Sequence, residues 1–192
     1  MTPDMPAEHI AALEERLRGS QTYLEFGSGG STVLAARLNV PNIVSVDSST
    51  DWIGRVKEEI GSLATSSKVQ LLHANIGETK DYGHPKDNSM LQNWPSYSTG
   101  AWAMVRAAGL QPDTVLVDGR FRVACFLASL IYLQPGAVIL WDDYRGREAY
   151  YAVESIVKPT RFHGYMAEFA CVDQLDSRML LEMLVRYLFV QD

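Results

Sequence analysis

The sequence predicts an α/β domain: a doubly wound, mostly parallel sheet with helices on both faces. Three observations predict it. Short apolar runs alternate with helical patterns from Thr22 to Val157, and such alternation buries a parallel sheet on both sides. A glycine-rich turn, Leu24-Glu25-Phe26-Gly27-Ser28-Gly29-Gly30-Ser31-Thr32, follows the first apolar run. Later runs end on aspartates, at Asp47, Asp118-Gly119 and Asp142-Asp143. Open α/β sheets bind ligands outside the carboxyl ends of their strands, so these acids mark one functional edge.

The elements follow in order. Pro6 to Arg18 reads as an amphipathic helix, with Ile10, Leu13 and Leu17 on one face and Gly19 as its stop. Thr22 to Phe26 is a strand, and Thr32 to Leu38 a helix after the glycine turn. Pro41 breaks the chain before a second strand, Ile43 to Val46. Trp52 to Leu63 is helical by pattern, and Val69 to His73 is a third strand. Gly77 to Gly100 is polar, with Pro85 and Pro95, and a helix over Ala101 to Ala108 follows. Thr114 to Val117 is a fourth strand, Val123 to Leu133 a continuous helical run, and Ala137 to Trp141 a fifth strand. Arg147 to Val157 reads as helical. Thr160 to Val172 reads as a hairpin around His163-Gly164, which adds one antiparallel strand. Ser177 to Val190 is a last, leucine-rich helix.

The chain of 192 residues suits one domain. It reads as an N-terminal helix (6–18), a core (20–172) with an insertion (77–100), and a C-terminal helix (177–190). The formal net charge of -6 repels polyanions on average, so no nucleic-acid partner is expected. Cys125 and Cys171 sit in apolar runs and read as buried free thiols of a reducing compartment. The scattered histidines and the absence of a CxxC pair give no support for zinc. No basic segment followed by an apolar run opens the sequence, and no apolar stretch reaches the ~18 residues of a membrane span. A cytoplasmic protein without a membrane partner is the expectation.

The glycine turn discriminates among ligands. A strand, a glycine turn and a helix N-terminus allow close approach of a nucleoside ligand. The NAD pattern GxGxxG is met at Gly27 and Gly29, but Thr32 stands at its third glycine. Glu25 lies two positions before the first glycine. A carboxylate there repels a pyrophosphate and suits a cationic ligand.

Leu24 to Thr32 resembles motif I of class I S-adenosylmethionine-dependent methyltransferases. The likeness extends through Asp47, Asp118-Gly119 and Asp142-Asp143, over residues 20–172. The resemblance implies a seven-stranded sheet with a C-terminal antiparallel strand, and S-adenosylmethionine as cofactor. It places Gly27, Ser28 and Gly29 against the methionine part of the cofactor and Glu25 near its ammonium. It gives Asp47 the ribose hydroxyls, a position that the acid about 20 residues beyond the glycines takes in related folds. The bland alternative makes Asp47 or Ser48 a helix N-cap. Trp52 is a candidate for the adenosine or for the core. Where many relatives have an acid reading adenine, this chain has Asn75.

Asp118 and Asp142 are the candidate catalytic bases, with His84 behind them. Arg120, Arg122, Arg145 and Arg147 flank the acids. They either neutralise the carboxylates or hold an anionic substrate by bidentate contacts, with Arg120 and Arg145 as the substrate candidates. Neighbouring cations disfavour a metal among these acids. The insertion carries Tyr82, His84, Lys86, Trp94 and Tyr97, which suits a lid more than a linker. The wide apolar face of the last helix packs on its own sheet or, second, forms a homodimer. The expected activity is methyl transfer to oxygen on a small molecule or sugar. The rivals are a non-catalytic cofactor-binding protein and an NAD-dependent enzyme.

Overall fold

Period-two alternation decides how the central strands sit. In the computed structural model, which describes residues 1–192, β1 (Thr22–Phe26) and β4 (Thr114–Val117) are buried along their whole length. Alternate residues enter opposite faces of the sheet. Tyr23, Ile43, Leu116 and Leu140 join one apolar cluster, and Leu24, Val44, Val115 and Ile139 join the other. The remaining strands are β2 (Asn42–Asp47), β3 (Lys68–His73), β5 (Val138–Trp141), β6 (Arg161–His163) and β7 (Met166–Ala170). They form one seven-stranded sheet in the order β3-β2-β1-β4-β5-β7-β6. β1 to β5 pair in parallel, and β7 runs antiparallel between β5 and β6. The predicted class and the antiparallel hairpin are both present.

Helices cover both faces. The first cluster takes Leu13 and Leu17 from α1 (Ala7–Leu17) and Ala35 and Ala36 from α2 (Gly30–Arg37), with Ile60 of α3 (Thr50–Gly61) packed on its margin. The second takes Trp102 of α4 (Pro95–Ala107), Phe126 of α5 (Arg122–Tyr132) and Leu180 of α6 (Ser177–Tyr187). Arg16 ties α1 to the β6–β7 hairpin through Glu168 at 2.6 Å. Cys125 and Cys171 are buried free thiols. No helix is long and apolar enough to cross a membrane.

Three segments differ from the pattern reading. The helix expected from Ala101 starts at Pro95, because proline at the first helical position loses no hydrogen bond. Trp94 and Tyr97 therefore leave the insertion. Both are buried and pack on the Phe121 ring, with centroids at 5.6 and 5.7 Å. What remains of the insertion folds as a narrow ladder: Lys80 N–H donates to His84 O, and Lys86 N–H to Glu78 O, each at 2.8 Å. Second, Glu148–Ser155 is a 3-10 helix. Third, α6 stops at Tyr187 and packs along α5. It buries Leu180 and Leu184 and leaves Leu181 and Val185 exposed.

Candidate functional site

The ends of β1 and β4 meet through two glycines. Gly27 has φ 102°, and a Cβ on it would lie 2.6 Å from Gly119 N. A Cβ on Gly119 would strike the Tyr97 hydroxyl. Gly119 N–H donates to Phe26 O at 2.7 Å. The glycine turn and the Asp118-Gly119 turn are thus packed backbone to backbone at the ends of β1 and β4. Gly119→Ala should lower stability by about 1–3 kcal/mol, the usual cost of overpacking. A thermal melt checks it, and an unchanged Tm would contradict this packing.

Glu25, which the resemblance placed near a ligand ammonium, points beneath the glycine turn. Period two puts Tyr23 and Glu25 on the same face of β1, so the Glu25 side chain enters the layer beneath α2. It is fully buried. Its carboxylate accepts from four hydroxyls: Tyr23 at 3.1 Å, Ser45 at 2.8 Å, Ser31 and Thr32. Four donors match the capacity of an ionised carboxylate. Burial pushes Glu25 up to about 7, against the pull of the hydroxyls of Ser31, Thr32, Ser45 and Tyr23. Thr32 explains the missing third glycine. Its Oγ1 accepts from Gly29 N–H at 2.9 Å and donates to Glu25, so it latches the turn onto the buried charge.

Across the turn stands Asp47, at the end of β2. Its Oδ2 accepts from Ser28 N–H at 3.1 Å and its Oδ1 from Ser49 N–H at 2.8 Å. Each oxygen keeps acceptor capacity. Burial raises its pKa, and the N–H groups of Ser49, Ser28 and Ser48 oppose the rise. The N-cap of α3 is Ser49, whose Oγ accepts from Trp52 N–H, so neither Asp47 nor Ser48 takes that role. Ser48 is buried and its Oγ reaches Gly83 O at 3.4 Å. Trp52 is 37% exposed and donates its indole N–H to Ser28 O, which makes it a wall of the glycine turn rather than a core residue. Asn75 is exposed, and its side-chain carbonyl accepts from Gly77 N–H at 3.2 Å. The carbonyl expected to read adenine is engaged in a local turn.

Asp118 and Arg122 form the other wall. Arg122 is buried, and its guanidinium bonds in three directions: Nε to Gly119 O at 3.0 Å, Nη1 to Asp142 O at 2.6 Å, and Nη2 to Asp118 Oδ1 at 3.2 Å. Asp118 keeps 28% of its side chain exposed. Burial pushes it up to about 8; Arg122 pulls it down, and the carboxylates of Asp142, Glu25 and Asp143 push it further up.

Asp142 does not share this position. It is buried, and its Oδ1 lies 2.6 Å from His9 Nδ1 of α1, although the two are not aligned as a hydrogen bond. The N–H groups of Tyr165 and Met166 donate to His9 Nε2 at 3.2 and 3.3 Å, which fixes the ring between α1 and the hairpin. Asp142 therefore ties α1 and the hairpin to β5, and its role as a base is corrected to a structural one. Arg145 is also corrected. It is exposed and stacks on the Phe162 ring at 4.3 Å, held there by a cation–π contact.

Arg120 stays at the cleft. Its Nη1 lies 2.8 Å from His84 Nε2 and donates to Asp192 O at 3.0 Å. Burial, then Arg120, lowers the His84 pKa, and its lone pair is engaged by the guanidinium. A Cβ on Gly83, at the tip of the ladder, would lie 3.1 Å from Ser48 Oγ and 3.7 Å from Arg120 Cγ. The Ser48–Gly83 and Arg120–His84 contacts hold the insertion against the ends of β2 and β4. Three of the four non-glycine residues with positive φ lie on this edge: Tyr82 (60°), Phe121 (53°) and Asp143 (55°). Such backbone collects at functional sites.

Sequence reasoning overlooked His9, the latch that Thr32 makes between Gly29 and Glu25, and the keystone role of Arg122. The signals were present. His9, Leu13 and Leu17 recur every four residues on the buried face of α1. Asp118 and Arg122 are also four apart, where a strand passes into a helix.

No family model and no curated protein matches the sequence. Solved structures do. A methyltransferase-like protein from Silicibacter pomeroyi is 34% identical, with a TM-score of 0.87 over 97% of this chain and 96% of that one. An O-methyltransferase from Bacillus cereus in complex with S-adenosylhomocysteine is 15% identical, with a TM-score of 0.59 over 87% and 82% of the two chains. The O-methyltransferase TomG from Streptomyces achromogenes, in complex with S-adenosylmethionine, is 17% identical, with a TM-score of 0.56 over 90% and 82%. The two lower identities speak for the fold, and the first for kinship along the whole chain. The chain belongs to the methyltransferase-like protein family, and its fold is that of the S-adenosylmethionine-dependent O-methyltransferases it resembles.

Proposed function

We propose that this chain is an S-adenosylmethionine-dependent methyltransferase acting on an oxygen of a small molecule or sugar. The observation that carries the reading is the buried Glu25 carboxylate under a glycine turn that Thr32 latches in place. The negative charge of ionised Glu25 behind the turn favours a sulfonium nucleoside and opposes the pyrophosphate of NAD. The rest of the edge fits that ligand. Gly27 admits no side chain, Trp52 walls the turn, and Asp47 keeps lone pairs for a ribose diol. Bound S-adenosylmethionine would supply an activated methyl group; the chain has to orient the acceptor, take its proton and exclude water.

In this reading Asp118 is the general base. It is partly exposed at the cleft, its oxygen is aimed by Arg122, and its raised pKa puts its titration near neutral pH. Arg120 and the ladder of the insertion close the acceptor side. The TomG and B. cereus enzymes, both O-methyltransferases by description, support the choice of oxygen. Calorimetry with S-adenosylmethionine and NADH, followed by assay for S-adenosylhomocysteine with a panel of hydroxyl acceptors, tests the reading. We expect tight binding of the sulfonium nucleoside and turnover that Asp118→Asn abolishes. Binding of NADH alone would overturn the reading, and binding without turnover on any acceptor would favour a non-catalytic protein.

A further inference from the structure

Helix α5 begins at the cleft without a cap of its own. Its N-cap residue, Phe121, has φ 53° and no side chain able to accept a hydrogen bond. The first N–H groups are satisfied from 70 and 69 positions away: Arg122 N–H donates to Asp192 Oδ1 at 2.6 Å, and Val123 N–H to Asp192 Oδ2 at 3.0 Å. Arg120 Nη1 holds the same residue by its backbone oxygen at 3.0 Å. A carboxylate thus sits with one oxygen on each of two successive backbone N–H groups, at a helix end that favours negative charge. A second feature points to the same place. Tyr150 is only 1% exposed, and its hydroxyl has no hydrogen-bond partner. It lies within electrostatic reach of Arg122, Asp192, Arg147 and Arg120. A buried hydroxyl left unpaired costs stability, and this one is free to donate to a group that enters beside it.

We propose that the N-terminus of α5, with Arg120 and the Tyr150 hydroxyl, is a carboxylate-binding subsite for the methyl acceptor, and that Asp192 is an internal occupant which the acceptor displaces. The subsite deepens the transferase reading and, as an acceptor site, rests on it. It gives the acceptor a class: a small molecule carrying a carboxylate besides the hydroxyl that is methylated. Two parallel N–H groups match the two oxygens of a planar carboxylate, and Tyr150 supplies a further donor. The residues beyond α6 then act as a tether, holding a competing group at the acceptor end of the cleft.

The test follows backbone amides by NMR in 15N-labelled wild type, Asp192→Ala and Asp192→Asn, titrated with benzoate as the carboxylate probe at constant ionic strength. An internal competitor lowers apparent affinity in proportion to its occupancy. Benzoate should therefore shift the Arg122 and Val123 amides with roughly 10-fold higher affinity in Asp192→Ala than in wild type. Asp192→Asn, which keeps an acceptor at the helix start, should fall between them. Adding Tyr150→Phe to Asp192→Ala should weaken benzoate several-fold. Equal affinity in wild type and Asp192→Ala, or no shift at those two amides, would overturn the proposal. Phosphate outcompeting benzoate would overturn the carboxylate assignment. Calorimetry with S-adenosylmethionine on the same samples separates the two readings. Benzoate binding without cofactor binding would sink the transferase and spare the anion site, and the reverse would sink the subsite alone.

Discussion

Glu25→Ala should destabilise the fold by about 3 kcal/mol. Four buried hydroxyls would lose their common acceptor, and each unpaired group costs up to ~1–3 kcal/mol. Part of that is recovered, because Ser28 and Ser45 already bond each other at 2.7 Å and Thr32 lies 3.4 Å from Ser45. The cavity adds its own cost. For a chain of this size the loss corresponds to roughly 10 °C in Tm, readable by calorimetric melting. Glu25→Gln separates shape from charge. The folded-state pKa is raised to about 7, above the ordinary carboxylate range. Its contribution to stability is therefore full below that range and is lost as pH rises through about 7. The stability gap between wild type and Glu25→Gln should narrow between pH 5 and pH 8. Cofactor affinity should move the other way. A cationic ligand favours the ionised form, so wild-type affinity for S-adenosylmethionine should rise several-fold across pH 7, while Glu25→Gln stays flat. A wild-type affinity independent of pH would show that the buried charge does not act on the ligand.

The same residue shows how far sequence reading reaches. The strand, the turn and the acid two positions before Gly27 are local, and the alternation of apolar runs implies a mostly parallel sheet. Glu25 was therefore legible as important. Its direction was legible too, because period two sends it with Tyr23 to the α2 face, yet the family likeness drew it toward the ligand. Asp142 failed for another reason. Its neighbour His9 lies 133 positions earlier, and nothing local to either residue records that pairing. Arg145 failed because β5 turns immediately into the hairpin side, where the Phe162 ring offers a nearer partner than the cleft. Trp94 and Tyr97 looked like lid residues in a polar segment, but Pro95 starts the helix early and turns both rings into the core. Spacing along the chain thus located the edge of the sheet. The contacts between distant segments decided which acids face the cleft.

Arg122 should be the most sensitive position on the acceptor side. Arg122→Ala strips donors from Gly119 O, Asp142 O and Asp118 Oδ1 at once, and removes the cation 3.8 Å from Asp143. Breaking such a buried arrangement costs about 3–5 kcal/mol, so loss of fold and loss of activity would coincide. Arg122→Lys distinguishes them. An ammonium keeps the charge but does not span three fixed directions, so the variant should fold, with Asp118 less well held. Asp118 works as a base only when ionised. Burial raises it to about 8 even with Arg122 in place, so kcat/KM for the wild type should climb with pH and level off above about 8. Weakening the opposing cation raises the pKa further, and the limb for Arg122→Lys should move to higher pH. Sulfonium binding pulls the same way on Asp118 as Arg122 does, so kcat, which reports the bound enzyme, should show its limb at lower pH than kcat/KM. A wild-type limb below pH 6, or identical limbs in the two proteins, would remove Asp118 from the role of base. The arginine would then matter only for holding the ends of β4 and β5 together.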